Sequence, residues 1–251
     1  MSDVLSPPDT PPRRPEEDAA LSGLGRGYPL RGSEPWKANR NGKEPLRLST
    51  ARTSTLAHGK PFGYTYPNYD VKALAGALCA QQGWDLVEVH FYTGVPDEAD
   101  NRRWNRFWSH KLAAMGRQGV QVYSRPLRYR NRRVKVPDGS EFTFLAGEEK
   151  GIDVRLAIDV IRKAHRQVLD VALIFSQDQD LSEVAKELRQ IAREQKRWIK
   201  VASAFPRSPT STNRRGIDQT DWIPIDRATY DICLDRRDYR GKDNPKGEIE
   251  L

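Results

Sequence analysis

In Val171-Ala-Leu-Ile-Phe-Ser-Gln-Asp-Gln-Asp180 a short apolar run, Val171 to Phe175, breaks off abruptly into Ser176, Asp178 and Asp180. An apolar run of this length bounded by polar residues reads as a buried strand of a parallel sheet. Open α/β sheets place their chemistry at the carboxyl ends of such strands. If the extended geometry continues, Asp178 and Asp180 point to the same side. Crowded carboxylates repel and raise each other's pKa unless a cation is shared between them. Hard divalent cations such as Mg²⁺ take oxygen ligands of this kind. The competing reading is a turn plus a helix cap, with Asp180 capping a helix that starts near Leu181.

Working outward, Glu148 to His165 reads as a loop entering an amphipathic helix. Ile152, Leu156, Ile158 with Ala157, and Val160 with Ile161 supply its apolar face. Asp153 falls in the first turn, where the helix macrodipole favours an anion. This helix leads through Val168-Leu169-Asp170 into the strand that carries the two aspartates. Asp159 lies six positions after Asp153 and faces elsewhere.

The rest of the chain beyond residue 62 alternates helix and strand. Helices are expected over Asp70 to Gln82 (Leu74, Ala77 and Leu78 inward), Asp97 to Met115 and Leu181 to Gln195. Strands are expected over Asp85 to Tyr92, Gly119 to Ser124 and Trp198 to Ala204, with Asp221 to Ile225 as an edge strand because of Pro224. Arg128 to Val136 and Glu141 to Leu145, joined by Pro137-Asp-Gly-Ser, read as a β-hairpin. Alternation of this kind implies right-handed parallel crossovers, hence an α/β fold with a mainly parallel sheet and a hairpin insertion.

These residues resemble a known family. The Lys150-Gly-Ile-Asp153 helix start, followed by Ser176-Gln-Asp-Gln-Asp-Leu181, is similar to the NYN domain, of the LabA-like branch of the PIN-like nuclease superfamily. Phe62-Gly-Tyr-Thr-Tyr-Pro-Asn-Tyr69, His90-Phe-Tyr-Thr-Gly94 and Gly147-Glu-Glu-Lys-Gly-Ile-Asp153 extend the resemblance across roughly Phe62 to Tyr239. It implies a Rossmann-like three-layer sandwich and a metal-dependent ribonuclease site using Mg²⁺ or Mn²⁺. By motif, Asp153, Asp178 and Asp180 inherit the metal-site role, and Ser176 a supporting polar position. The substrate implied is RNA. A structure-specific DNA nuclease and a non-catalytic RNA-binding or regulatory module are the alternatives.

One departure from the family is large. Its first buried strand ends in a Phe/Ile-Asp-Gly-x-Asn motif whose Asp is a principal metal ligand. Here Leu48-Ser-Thr-Ala-Arg-Thr-Ser-Thr-Leu-Ala-His-Gly-Lys-Pro61 carries no Asp and no apolar strand. The genetic code supplies a reason. Leu48 to Thr55 can be encoded as CTT-TCG-ACG-GCC-AGA-ACC-TCT-ACC. Joining each third base to the next two then reads Phe-Asp-Gly-Gln-Asn-Leu-Tyr. From Ala57 to Pro61 the same frame permits Ala-Arg-Glu-Ala before Phe62. The missing motif therefore sits at its expected place in an alternate frame. Residues 1–61 are accordingly expected to be a disordered extension or, in part, an out-of-frame product. Residues 62–240 form the folded domain and 241–251 a flexible tail.

Composition agrees with a boundary there. Residues 1–61 hold nine of the 17 prolines, among them Pro7-Pro8, Pro11-Pro12 and Pro15, which suits an extended arm. Met1 to Thr10 lacks the basic start and apolar core of a signal peptide, and nothing resembles a membrane span. Cys79 and Cys233 make no disulfide framework, and Cys79 sits in an apolar helical pattern as a buried thiol; a reducing cytoplasm is the expected setting.

The net charge of +8 has a local focus. Arg125, Arg128, Arg130, Arg132, Arg133 and Lys135 crowd one segment, interleaved with Tyr123 and Tyr129. Cations neutralise phosphates and tyrosine faces stack on unpaired bases, so this segment is the expected RNA contact. Thr212-Asn-Arg-Arg-Gly216 is either a phosphate-gripping loop or a flexible turn. Trp104 and Trp108, four residues apart, read as core.

Overall fold

A parallel sheet needs a crossover between each pair of neighbouring strands, and the alternation in this chain supplies them. The computed structural model describes residues 48–52, 60–64, 66–135 and 139–239. The expected N-terminal arm and C-terminal tail, and the hairpin tip at Val136 to Asp138, lie outside the described residues. Six strands form one sheet: β1 (Leu48–Arg52), β2 (Leu86–Val95), β3 (Gln121–Pro126), β6 (Val171–Phe175), β7 (Lys200–Pro206) and β8 (Asp221–Ile225). Their spatial order is β3-β2-β1-β6-β7-β8, and every pairing is parallel. Between β3 and β6 stand β4 (Arg128–Lys135) and β5 (Glu141–Glu148), an antiparallel pair forming a sheet of its own.

β6 is buried along its whole length. Its odd and even residues feed two separate apolar clusters, as the strand period of two requires. Val171, Leu173 and Phe175 join Leu74 and Leu78 of α1 (Val71–Gln82). Ala172 and Ile174 join Ile152, Leu156 and Val160 of α3 (Ile152–His165) and Leu188 of α4 (Ser182–Glu194). α2 (Glu98–Arg117) adds Met115 to the first cluster. Local chemistry sets the helix starts. Asp70 accepts from the Lys72 and Ala73 amides, and Asp97 from the Ala99 amide, in N-cap geometry. α1 stops at Gly83, where φ of 69° suits a residue without a Cβ.

Four expectations need correction. The segment up to residue 61 does contain a strand: β1 occupies the centre of the sheet between β2 and β6. On α3, Ile158 is exposed rather than inward. The buried stripe is Ile152, Leu156, Val160 and Ala164, and a residue two positions from two of its members lies on the opposite side of a 3.6-residue turn. On α1 the buried set is Val71, Leu74, Ala75, Leu78 and Cys79, with Ala77 only partly covered. Last, β5 continues to Glu148, three residues beyond Leu145, and so feeds directly into the acidic loop. A short helix not foreseen, α5 (Arg227–Ile232), follows β8 and is capped by Asp226.

Candidate functional site

The strand order places a crossover switch between β1 and β6, because the chain winds outward to β2 and β3 on one side and to β6, β7 and β8 on the other. Open sheets of this type bind ligands in the crevice outside the carboxyl ends of the strands at that point. α3 returns the chain to the start of β6, so it runs against the strands and its N-terminus lies at the carboxyl rim. That geometry carries Asp153, in the first turn of α3, toward Ser176, Asp178 and Asp180 at the end of β6.

Gly151 precedes α3 with φ of 76°, and a Cβ there would stand 3.0 Å from Arg125 Nη1. Glu149, two residues earlier in the loop, is held by the end of β2: its Oε1 accepts from the Gly94 amide at 2.6 Å. Gly94 is small for a reason. A Cβ at that position would lie 2.3 Å from Leu127 Cδ2 and 2.7 Å from Glu149 Cγ. The resemblance in His90-Phe-Tyr-Thr-Gly94 thus has a physical content, the close seating of an acidic loop and the hairpin base on β2.

At the end of β6, Ser176 is buried and its Oγ accepts from the Asp178 amide at 3.1 Å. Asp178 keeps extended backbone angles, and its Oδ1 accepts from the Asp180 amide at 3.0 Å. Extended geometry stops there. Asp178, not Asp180, is the capping residue, and Asp180 lies exposed in the 3₁₀ turn Gln179–Leu181 that leads into α4. The two aspartates therefore do not alternate as strand neighbours.

Electrostatics nevertheless ties the acids together. Burial pushes the Asp153 carboxyl up to about 6, and the charges of Asp178, Glu149 and Asp180 push in the same direction. Asp153 Oδ1 is buried and has no hydrogen-bond partner. A buried unpartnered carboxylate oxygen is costly, and several nearby anions make it more so. A hard cation would relieve both terms. Among the described residues, however, no three His, Cys, Asp or Glu side chains stand close enough to hold one ion. The donor set fits Mg²⁺ better than a closed protein cage would suggest, because Mg²⁺ is often held by one or two carboxylates plus waters and substrate phosphates. Asp153 and Asp178 would be those carboxylates. β1, which flanks this rim, ends at Arg52 opposite Phe175 and has no acid to add.

Three residues outside the expected set shape the site. Glu149 shares the field of Asp153. Gln177 Nε2 donates to the Arg215 carbonyl at 2.8 Å, and Gln179 Nε2 to the Gly216 carbonyl at 2.9 Å. Gln179 Oε1 also accepts from the Asp218 amide at 3.0 Å. The two glutamines lace the loop after β7 to the loop after β6. The amides of Ser-Gln-Asp-Gln-Asp were a visible signal, since glutamines alternating with acids serve both as donors and acceptors. Within the laced loop, Arg215 pairs with Asp218 at 2.9 Å and Arg214 donates to the Pro209 carbonyl at 3.0 Å. Both guanidiniums are thus engaged by their own loop.

The basic segment divides. Cross-strand register puts Arg128, Arg130 and Arg132 on one face of the hairpin and Arg133 and Lys135 on the other. Arg132 pairs with Glu148 at 2.8 Å and Arg130 with the same carboxylate at 3.8 Å, and the Arg132 hydrogen bond holds the Glu148 carboxyl below its ordinary range. Arg125 stands apart on β3 beside α3; its guanidinium lies 5.5 Å from the Tyr123 ring, with Arg155 at 5.0 Å from the same ring. Tyr123 is therefore already flanked by cations. Tyr129 packs its Cε1 at 3.2 Å from the Cβ position of Gly147 and buries its hydroxyl. Neither tyrosine is an open stacking face. Trp104 and Trp108 pack around Phe107, in keeping with a core role. Cys79 is buried and burial pushes its thiol up to about 12, so it is inert. Among the described residues no helix is long and apolar enough to cross a membrane.

Comparison with known proteins bears on this geometry. No curated protein gives a match to the chain. Among solved structures, a protein of unknown function from Vibrio parahaemolyticus is 19% identical, with 74% of this chain and 97% of that chain covered at a TM-score of 0.43. Ribokinase from Giardia lamblia is 11% identical, with 71% and 58% covered at a TM-score of 0.37. A family match spans residues 57–221, from just after β1 to the first residue of β8, and takes in Gly94, Glu149, Asp153, Ser176, Asp178 and Asp180. The chain belongs to the NYN domain family.

Proposed function

We propose that this protein is a metal-dependent ribonuclease that hydrolyses RNA phosphodiester bonds, and that the chain as written is impaired for lack of its first-strand acid. The observation that carries the reading is the buried, unpartnered Asp153 Oδ1 within the shared field of Asp178, Glu149 and Asp180 at the carboxyl rim. Family membership supports it, since the NYN domain implies the PIN-like nuclease superfamily. The LabA-like branch, a three-layer Rossmann-like sandwich with a hairpin insertion, and a cytoplasmic location are parts of the same proposal.

Asp153 and Asp178 would hold Mg²⁺ or Mn²⁺, with Asp180 adding its charge to the same field. A bound divalent ion supplies activation of water and neutralisation of phosphate charge. Ser176 holds the Asp178 amide and so sets the direction of its carboxylate. Gln177 and Gln179 keep the neighbouring loop seated against the acids. Arg125, beside Gly151, would meet a phosphate entering along β3.

The N-terminal region completes the proposal. β1 fills the middle of the sheet with Leu-Ser-Thr-Ala-Arg, where its neighbour β6 is buried on both faces. A central parallel strand is ordinarily a continuous apolar run. The alternate frame over the same codons offers Phe-Asp-Gly-Gln-Asn, which restores both an apolar residue and an acid. We therefore take 1–61 to be, at least in part, an out-of-frame product, with 62–240 the domain proper and 241–251 a tail. Sequencing the gene across codons 45–62 tests this; no Asp-Gly-Gln-Asn frame there would end it. The absence of any acid in β1 favours one second reading, a non-catalytic RNA-binding module. Cleavage of single-stranded RNA by a frame-corrected chain, dependent on Mg²⁺ and lost in Asp178→Asn, would support the nuclease; RNA binding without cleavage would support the module.

A further inference from the structure

The β4–β5 hairpin stands as its own two-stranded sheet, and one of its faces has a composition unusual for a solvated surface. By register, Arg130 opposes Ala146, Arg132 opposes Phe144 and Val134 opposes Phe142, so these side chains share a face with Arg128. Phe142 is 62% exposed and Phe144 39% exposed. Their rings lie 6.3 Å apart with planes only 15° from parallel. Two phenylalanines held exposed with nearly parallel rings are costly in water, and solvation accounts for a row of arginines but not for them. The same strand leads into Glu149 and Asp153 at the carboxylate site.

We infer that this face is a stacking platform for unpaired bases of single-stranded RNA, with Phe142 and Phe144 as the platform and Arg128, Arg130 and Arg132 as the phosphate track. The occupant follows from charge and shape. A polyanion complements the arginine row, and flat apolar faces beside it suit bases that are free to unstack. A duplex keeps its bases stacked and offers the platform nothing. At about 3.3 Å per residue, the platform lies roughly 15–25 Å from Glu149, so a strand bound there runs on toward the acids. Glu148, which pairs with Arg132 and Arg130, holds the two guanidiniums in the face rather than leaving them extended, and yields one of them to an incoming phosphate. This inference rests on the reading of RNA as substrate.

The test is equilibrium binding of the full chain, in EDTA so that cleavage plays no part, to a single-stranded RNA of mixed sequence and to a duplex RNA of equal length. Phe142→Leu with Phe144→Leu keeps apolar bulk and removes the aromatic faces; Phe142→Tyr with Phe144→Tyr restores them. The leucine pair should weaken single-strand binding by at least about fivefold, the lower end of one lost stack, while the salt slope and the duplex affinity stay as they were. The tyrosine pair should bind like the parent. Parent-like single-strand binding by the leucine pair would overturn the platform and leave the RNA reading standing. No RNA binding by the parent, with self-association that the leucine pair abolishes, would overturn both and make the face a contact between copies of this chain.

Discussion

Replacing Asp153 with asparagine should stabilise the metal-free protein. An ordinary aspartate titrates near 3.9, whereas burial, aided by Asp178 and Glu149, lets the Asp153 carboxyl keep its proton up to about 6. Below about pH 3 the group is neutral in both folded and unfolded chains and contributes nothing. As pH rises through the interval, the unfolded chain ionises first, so ionisation favours unfolding, and the full cost is present above pH 6. The interval corresponds to an upper bound of about 2.9 kcal/mol. Asp153 is only half-buried, and solvent screening brings the figure to about 1–1.5 kcal/mol. For a domain of this size that is about 2–5 °C in melting temperature. Thermal melts in EDTA should therefore show Asp153→Asn above the parent at pH 8, with the gap reduced to about a third by pH 4.5. Saturating Mg²⁺ should raise the parent and leave the variant where it was, because only the parent holds the ion. A variant that melts lower than the parent at pH 8, or a gap undiminished at pH 4.5, would refute the account of this site as strained by charge.

In a frame-corrected chain, Asp178→Asn should abolish Mg²⁺-dependent cleavage with little change in melting, because asparagine caps the Gln179–Leu181 turn about as well; turnover near the parent's rate would put the metal elsewhere. Alanine at Arg128, Arg130 and Arg132 should flatten the salt dependence of RNA binding by about 0.7 per lost contact, and adding Arg133→Ala should change little, since Arg133 lies on the other face of the hairpin. An unchanged slope for the triple variant would move the RNA track off this face. Asp235→Asn should cost about 3 kcal/mol or more at pH 7, because it strips a carboxylate 3.7 Å from Lys111, which is 1% exposed. Burial pushes the Asp235 carboxyl up, but hydrogen bonds from Arg237 and Tyr239 overcome this and leave it below its ordinary range. The stabilisation by its charge is therefore complete above about pH 4 and lost as pH falls through the lowered value, so the melting gap should narrow only in strong acid.

The strand β6 was legible because a strand buried on both faces has no alternation to disguise it, and its five residues match the expected bounds at both ends. Asp153, Asp178 and Ser176 were legible as a motif, but their geometry was not. The side-chain cap from Asp178 to the Asp180 amide bends the chain into a turn, an effect of local hydrogen bonding that period-two reasoning cannot contain. Glu149 was hidden beside Glu148. Which of the two faces the acids depends on where the hairpin register ends, and the pairing of Arg128 with Glu148 assigns that residue to the hairpin. β1 was hidden for a different reason. Ser-Thr-Ala-Arg has no strand pattern of its own, and its place is created by unpaired backbone groups on β2 and β6 that need a partner. Phe142 and Phe144 drew no reading from the sequence beyond their place in the hairpin; that the hairpin leaves the sheet, and so exposes them, is a tertiary fact.

The most direct measurement compares cleavage of single-stranded RNA by the chain as written and by a chain whose codons 45–62 are restored to the alternate frame, each with Mg²⁺ or Mn²⁺ and with EDTA. The restored chain should cleave, EDTA should stop it, and the written chain should be inactive and less stable. Equal, metal-dependent cleavage by both chains would contradict the role given to the first-strand acid, and cleavage by neither would contradict the assignment of this carboxylate rim as a nuclease site.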